Sequence, residues 1–318
     1  MTRADTVSAD PFGAPYPLVN VDGRVVDSSA ATLDVHAHAM SYGTGTFEGI
    51  RAYWNPRHEQ LYLSEAVGHF ERLHRSARIL GLPLAFPVAE LVELTRDLLR
   101  ANQVRGNAYV RPILLQSGAV LPVRLHDVDV RLSMAVTPVP GDYLQAGGVR
   151  CMVSTWRRAP DVSIPNRAKV IGSYVGPALA KTEAVRAGFD EALMLTVDGY
   201  LAEATTANVL MRFGNRWSTP SGSDDILEGI TRAQVMTLLA EGTGTPVVER
   251  RIHRSELYYA DEILLCGTAA TVVPVVAVDG RPIAVGALGK QLREDLWAIS
   301  SRDDDRHPEW TTPVYEKG

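Results

Sequence analysis

Apolar residues recur at helical intervals in two early stretches, Glu65 to Leu80 and Val88 to Asn102, and Gly81 with Pro83 breaks the periodicity between them. Ahead of these, Leu18-Val19-Asn20-Val21-Asp22-Gly23-Arg24-Val25-Val26 centres on an Asp-Gly turn and predicts a hairpin. Asn107 to Leu115 and Val128 to Val136 are apolar, β-branched runs that predict strands. Pro138-Val139-Pro140-Gly141-Asp142 follows, and no ladder continues through two prolines and a glycine. The expected organisation is a tail over 1–17, a smaller N-terminal domain over 18–137, a linker over 138–147 and a larger C-terminal domain over 148–318. In that later half, Ser173 to Ala187, Thr231 to Ala240 and Leu288 to Ile299 predict helices. Glu191 to Val197, Asn208 to Arg212, Glu262 to Cys266 and Thr271 to Val278 predict strands, punctuated by Asp198-Gly199, Gly214-Asn215 and Asp279-Gly280. The class is therefore α+β, without internal repeats.

Composition narrows the function. Hydrophobic residues make up 46% of the 318 positions, enough for a sizeable core in each of two domains. A net charge of -5 without basic runs argues against nucleic acid as a main partner, because phosphate neutralisation needs clustered Arg and Lys. Met1 to Tyr16 lacks the apolar centre of a signal peptide, and no stretch has the length and apolarity of a membrane span. Cys151 and Cys266 have neither CxxC nor metal spacing and read as buried thiols of a reducing compartment, so the expected location is the cytoplasm. His36 and His38 are followed by no HExxH or carboxylate-rich pattern; they read as polar loop histidines, and no metal is expected. Gly43-Thr44-Gly45-Thr46-Phe47-Glu48-Gly49 fits neither GxGxxG nor GxxxxGK[ST], which sets a dinucleotide site aside. No GxSxG elbow occurs either.

The chain uses arginine for nearly all its positive charge; Lys169, Lys181, Lys290 and Lys317 are its lysines. Lys181 falls on an amphipathic helix, Lys290 on a charged late helix and Lys317 at the end, which leaves Lys169, in Ile164-Pro165-Asn166-Arg167-Ala168-Lys169-Val170-Ile171-Gly172-Ser173-Tyr174. A primary amine, with a lone carboxylate downstream in Leu201-Ala202-Glu203, is what a pyridoxal phosphate site requires: an amine for the resting Schiff base and an anion to keep the ring nitrogen protonated. On spacing alone, a surface lysine in an arginine-biased chain fits equally well. Gly229-Ile230-Thr231-Arg232-Ala233-Gln234 has the capping-box arrangement, and the free amides of a helix start bind phosphate; a cap without ligand is the plainer reading. Cys266-Gly267-Thr268-Ala269-Ala270 is a second cradle, or simply a strand end. Arg72 is the candidate phosphate clamp, although His69, His74, Arg75 and Arg78 beside it also suit a solvated basic face.

Taken in order, Ser41 to Tyr53, His69-Phe70-Glu71-Arg72-Leu73, Tyr109-Val110-Arg111-Pro112, the Lys169 segment, Glu203 to Asn208, Gly229 to Arg232 and Gly267 to Ala270 resemble the fold-type IV pyridoxal-phosphate enzymes. Within these, the likeness is to the branched-chain amino acid aminotransferases, and it runs from about Val19 to Pro313. The resemblance implies a two-domain, D-amino acid aminotransferase-like fold, with a smaller N-terminal α/β domain and a larger C-terminal one whose sheet forms a pseudo-barrel. It implies pyridoxal 5'-phosphate as cofactor, with Lys169 as the catalytic Schiff-base lysine and proton shuttle. Glu203 then pairs with the pyridinium nitrogen and Tyr174 with the phenolate oxygen. Arg72, Ile230, Thr231 and Thr268 hold the phosphate, and Asn208 belongs to the same cofactor set. Tyr42, Phe47, Gly49, Tyr109, Arg111 and Tyr143 line the substrate side, with the Thr268 and Ala269 amides near the substrate carboxylate and Arg111 facing the distal carboxylate of glutamate.

The implied activity is exchange of amino groups between leucine, isoleucine or valine and 2-oxoglutarate, giving branched-chain 2-oxo acids and L-glutamate. The implied assembly is a homodimer or an assembly of dimers, with loop Gln116 to Leu125 as the candidate for closing a neighbouring site. Three departures bear on substrate choice: Ser173 where asparagine is usual, Ala204-Thr205-Thr206-Ala207 in place of a glycine-richer stretch, and Pro140 where an aromatic is common. The rivals sharing this fold are D-amino acid or (R)-amine aminotransferases and aminodeoxychorismate lyases. Phe47-Glu48-Gly49-Ile50-Arg51 and the Tyr109-x-Arg111 pair favour the branched-chain group.

Overall fold

A computed structural model describes residues 12–139 and 147–316. Tyr143 and Pro140, with most of the expected linker and tail, lie outside the described residues.

Among the described residues the first sheet has eight strands, all antiparallel. Their order is Thr311–Pro313, Gln60–Ser64, Ile50–Asn55, Ala108–Gln116, Val130–Pro138, Leu18–Val21 and Arg24–Asp27, with Gly45–Phe47 paired to Ala108–Gln116. The expected hairpin and strands are present. The helices Ala66–Leu80 and Val88–Ala101 place Phe70, Leu73, Leu91, Leu98 and Leu99 against Ile50, Leu61, Val110 and Met134. Each such side chain, fully buried, contributes about 1.5–3 kcal/mol. Gly45–Phe47 and Ile50–Asn55 escaped the sequence pattern because nearly every side chain in them is covered, which removes the alternation that marks a half-buried strand.

The chain ends in this first layer. Thr311–Pro313 pairs with Gln60–Ser64, Val314 joins the first core, and the Tyr315 hydroxyl donates to the Val104 carbonyl at 2.6 Å. The expected C-terminal domain over 148–318 is corrected accordingly: residues 311–315 pack with the N-terminal sheet, whose edge they complete.

The second sheet, of nine strands among the described residues, runs Leu201–Ala204, Glu191–Leu195, Val149–Arg157, Thr271–Val278, Glu262–Gly267, Asn208–Phe213, Arg216–Thr219 and Val248–Glu249, with Arg281–Pro282 at the side of Thr271–Val278. Val149–Arg157 is parallel to both neighbours; such pairs need long crossovers, and the helix Val175–Arg186 lies in one of them. One cluster, including Val153, Leu193, Val209, Leu265 and Val273, fills the inside of this curled half-barrel. On the outside, helices Ile230–Thr243 and Ala287–Ser301 cover Leu210, Leu264 and Val272, while Val175–Arg186 covers Ala192 and Met194. Among the contacts between the two layers is a backbone stitch, where Val170 bridges Thr46 of the first sheet.

Candidate active site

Lys169 sits at that stitch. Its amide donates to Ser76 Oγ at 3.1 Å, and its carbonyl accepts from the Phe47 amide at 3.1 Å and the Thr46 hydroxyl at 2.9 Å. Three bonds from the first layer thus fix the backbone of a lysine that belongs to the second. Its Nζ lies 5.1 Å from the Phe47 ring centroid and 5.6 Å from that of Tyr174, with no carboxylate in ion-pairing reach among the described residues. The other lysines differ. Lys181 is held by Glu191 and the Asp190 carbonyl, Lys290 pairs with Glu294, and Lys317 lies outside the described residues.

The cavity beside Lys169 is lined by Arg72, Tyr174, Glu203, Asn208, Ile230, Thr231 and Thr268, so all eight expected cofactor residues meet in one space. Glu203, 6% exposed, stands on Leu201–Ala204 facing inward. Its Oε1 is 3.0 Å from Arg158 Nη2, and its Oε2 accepts from Asn208 Nδ2 at 3.0 Å and the Leu227 amide at 3.2 Å. Burial raises its pKa above the usual carboxylate value, and the Arg158 guanidinium opposes that rise. Arg158 is fixed in turn by Asn166 Oδ1 and the Asp225 carbonyl. Sequence reasoning missed Arg158; it is one of two adjacent arginines at a strand end, and only the fold separates buried Arg158 from exposed Arg157.

On the same cavity, the helix Ile230–Thr243 begins at Gly229 with no side-chain cap. The expected capping box is corrected: Thr231 lies within the first turn, and Gln234 Nε2 is buried without a partner among the described residues. Gly229 is required by contact, since a Cβ there would lie 2.0 Å from Asn208 Oδ1. The first amides of this helix are free for an anion. Arg72 is not on a solvated basic face: it and His69 are buried, and Arg72 Nε and Nη2 meet both oxygens of Glu48, at 2.6 and 2.8 Å. The fork expected to clamp phosphate is therefore half engaged, leaving the edge that carries Nη1, which reaches the Glu228 carbonyl at 3.1 Å. Cys266, on the same wall, is no nucleophile, because burial pushes its thiol up to about 12.

On the substrate side, the Arg111 guanidinium lies over the Phe47 ring at 4.6 Å and the Tyr109 ring at 4.9 Å, and donates no hydrogen bond among the described residues. Gly49 abuts Tyr109 so closely that a Cβ would come 1.7 Å from its hydroxyl. Ala269 presents its carbonyl to Arg51 Nη1 at 3.4 Å. Tyr42 is 39% exposed, and its hydroxyl donates to the Leu121 carbonyl in the loop 117–129. His38 is no exposed loop residue; it is buried between Thr44 Oγ1 and the Pro122 carbonyl, tying the same loop down.

Comparison with known proteins agrees with this geometry. The model of the class IV amino-transferase family matches residues 45–278. A probable branched-chain-amino-acid aminotransferase of Aquifex aeolicus (strain VF5) is 44% identical over 300 residues, covering 93% of this chain and 96% of that protein. The branched-chain aminotransferase of Thermoproteus uzoniensis with norvaline superposes with a TM-score of 0.91 at 36% identity, over 95% of this chain and 100% of the other. The branched-chain amino acid aminotransferase from Thermobaculum terrenum, in its PLP-form, gives a TM-score of 0.90 at 31% identity, over 95% and 99%.

Proposed function

The chain belongs to the class IV aminotransferase family, and we propose that it exchanges amino groups between branched-chain L-amino acids and 2-oxoglutarate with pyridoxal 5'-phosphate as cofactor. One observation carries the reading: an amine without an ion-pair partner among the described residues, a buried carboxylate that faces three donors, and a helix start share one cavity. That donor set fits the cofactor, with an amine for an aldehyde, an anion for a ring nitrogen and free amides beside an arginine edge for a phosphate. When bound, pyridoxal 5'-phosphate supplies the aldehyde and an electron-withdrawing ring.

The chain's own residues supply the rest. Lys169 Nζ would hold the aldehyde and, when freed, take and return a proton at the substrate α-carbon. Glu203, kept anionic by Arg158, Asn208 and the Leu227 amide, would hold a proton on the ring nitrogen. Tyr174, whose ring centroid lies 4.8 Å from that of Phe47, would pair with the phenolate oxygen of the cofactor. Ile230 and Thr231 amides, Thr268 and the open edge of Arg72 would anchor the phosphate. The Phe47 and Tyr109 rings offer apolar walls for an aliphatic side chain, and Arg111, stacked on both, keeps its donors for a second carboxylate. Such a site suits an apolar amino donor and a charged acceptor in turn.

We further propose a homodimer, supported by Met40, Leu121, Val123, Val162 and Val175, which are apolar and exposed on this chain. A cytoplasmic location is supported by two free buried cysteines and no disulfide among the described residues. The deciding assay supplies L-leucine and 2-oxoglutarate and measures glutamate, with D-alanine and aminodeoxychorismate in parallel. Glutamate from leucine is the expected result, and turnover of either alternative without it overturns the substrate assignment.

A further inference from the structure

We propose that Glu48, to which the proposed activity gives no task, is the positioning residue that aims the free edge of Arg72 at the phosphate. The inference rests on that reading of the site and concerns a single contact within it. A guanidinium is a flat plate with five N–H donors. Glu48 Oε1 takes the Nε–H at 2.6 Å and Oε2 takes one Nη2–H at 2.8 Å, so a whole side of the plate is occupied. The carboxylate is itself immobilised. It has no exposed surface, His69 Nδ1 stands 2.8 Å from Oε2, and the Glu48 amide donates to the Pro112 carbonyl at 2.8 Å. Burial holds His69 below its ordinary pKa, and its Nδ1 donates here, since an ionised carboxylate only accepts.

What remains of the plate is the edge shared by Nη1 and Nη2. Its one contact, from Nη1 to the Glu228 carbonyl at 3.1 Å, directs it to the residue that precedes Gly229, where the phosphate-binding helix starts. Arg72 has a long, flexible stem, and among the described residues its hydrogen bonds run only to Glu48 and this carbonyl, which fix its plane. Glu48 has a second effect of opposite sign, because its charge offsets that of Arg72 and so weakens the pull on an anion. The two effects separate cleanly: if aiming dominates, removing the Glu48 charge weakens phosphate binding, and if charge offset dominates, it strengthens it. Aiming is the stronger here, because a charge-assisted, two-point contact sets direction as well as energy, and a glutamine amide in its place would set a donor against a donor.

The test uses the apo-protein, titrated by calorimetry with inorganic phosphate, pyridoxal 5'-phosphate and pyridoxal. Glu48→Gln is expected to weaken both phosphate-bearing probes by about tenfold or more, the scale of one charge-assisted contact, and to leave pyridoxal unchanged. In an Arg72→Gln background it should cause no further loss. Glu48→Asp, which keeps the charge and shortens the reach, should weaken the same two probes and serves as the variant should Glu48→Gln not fold. Unchanged or tighter phosphate binding, an equal loss for pyridoxal, or a loss that persists without Arg72 would each overturn the proposal. A wild-type protein that binds neither aldehyde would instead overturn the reading of the site.

Discussion

Replacing Arg158 with methionine should expose how Glu203 is kept charged. Arg158 and Glu203 are both buried, 3.0 Å apart, and the arginine is the one cation paired with this carboxylate among the described residues. Removing one partner of a buried pair leaves an uncompensated charge and costs about 3–5 kcal/mol. Protonation of Glu203 relieves part of that cost. Burial already raises this group above its ordinary pKa of 4.5, so between the unfolded and folded values the folded state binds more protons than the unfolded one; stability is then fullest below the unfolded value and falls as pH rises to the folded one. Without Arg158 the folded value climbs further, and the fall extends to higher pH. Lys169 and Arg72 also face this carboxylate and limit the climb without replacing the hydrogen-bonded cation, while the buried Cys266 beside it is a neutral thiol that lends no positive charge. Thermal midpoints of the apo-protein from pH 5 to 9 measure this directly. Arg158→Met should lose the full amount near pH 8 and recover much of it near pH 5. A variant as stable as wild type at pH 8, or one whose deficit does not change with pH, refutes the argument that Arg158 holds Glu203 ionised.

Other substitutions probe separate contacts. Gly49→Ala sets a methyl against the Tyr109 hydroxyl, and overpacking of this kind costs about 1–3 kcal/mol; a raised KM for leucine is expected, and an unchanged one would show that the Tyr109 ring does not shape the pocket. Glu65 is pushed up to about 7 by burial and by the nearby Glu309 and Glu71 carboxylates, so native stability should fall as pH rises from about 4.5 to about 7. Glu65→Gln should flatten that part of the curve, and a variant that keeps the slope would place its origin elsewhere. Leu121→Asp puts a charge into the exposed apolar set and should halve the mass read by light scattering; a dimer that survives it moves the interface to another face.

Much of this architecture was legible before any coordinates. The helix over Ala66–Leu80 was readable because it is covered on one side, which leaves a period in the chain, and the hairpin from Leu18 because Asp22-Gly23 marks its turn. The strands Ile50–Asn55 and Val149–Arg157 were not. The first is buried on both faces, and the second ends in exposed polar and aromatic residues that blur its pattern. The same physics governs the site. Lys169 and Glu203 stood out by residue type, whereas the groups that orient them, Arg158, Ser76 and the Glu48–Arg72 pair, acquire their roles from contacts spanning many residues of chain. Thr231 misled because S/T-x-x-Q also occurs one step inside a helix whose start is fixed by a glycine. The final strand returned to the first layer because Gln60–Ser64 offered an open edge, which the local pattern of 311–315 does not announce.

The central claim is that the amine of Lys169 carries the aldehyde of pyridoxal 5'-phosphate. Reducing the holo-protein with borohydride and mapping the label by peptide mass tests it most directly. The expected product is one phosphopyridoxyl group, on the peptide containing Lys169, with the visible absorption lost in step. A label on Lys181 or Lys290, or a protein that binds the cofactor and takes no label, would contradict the account.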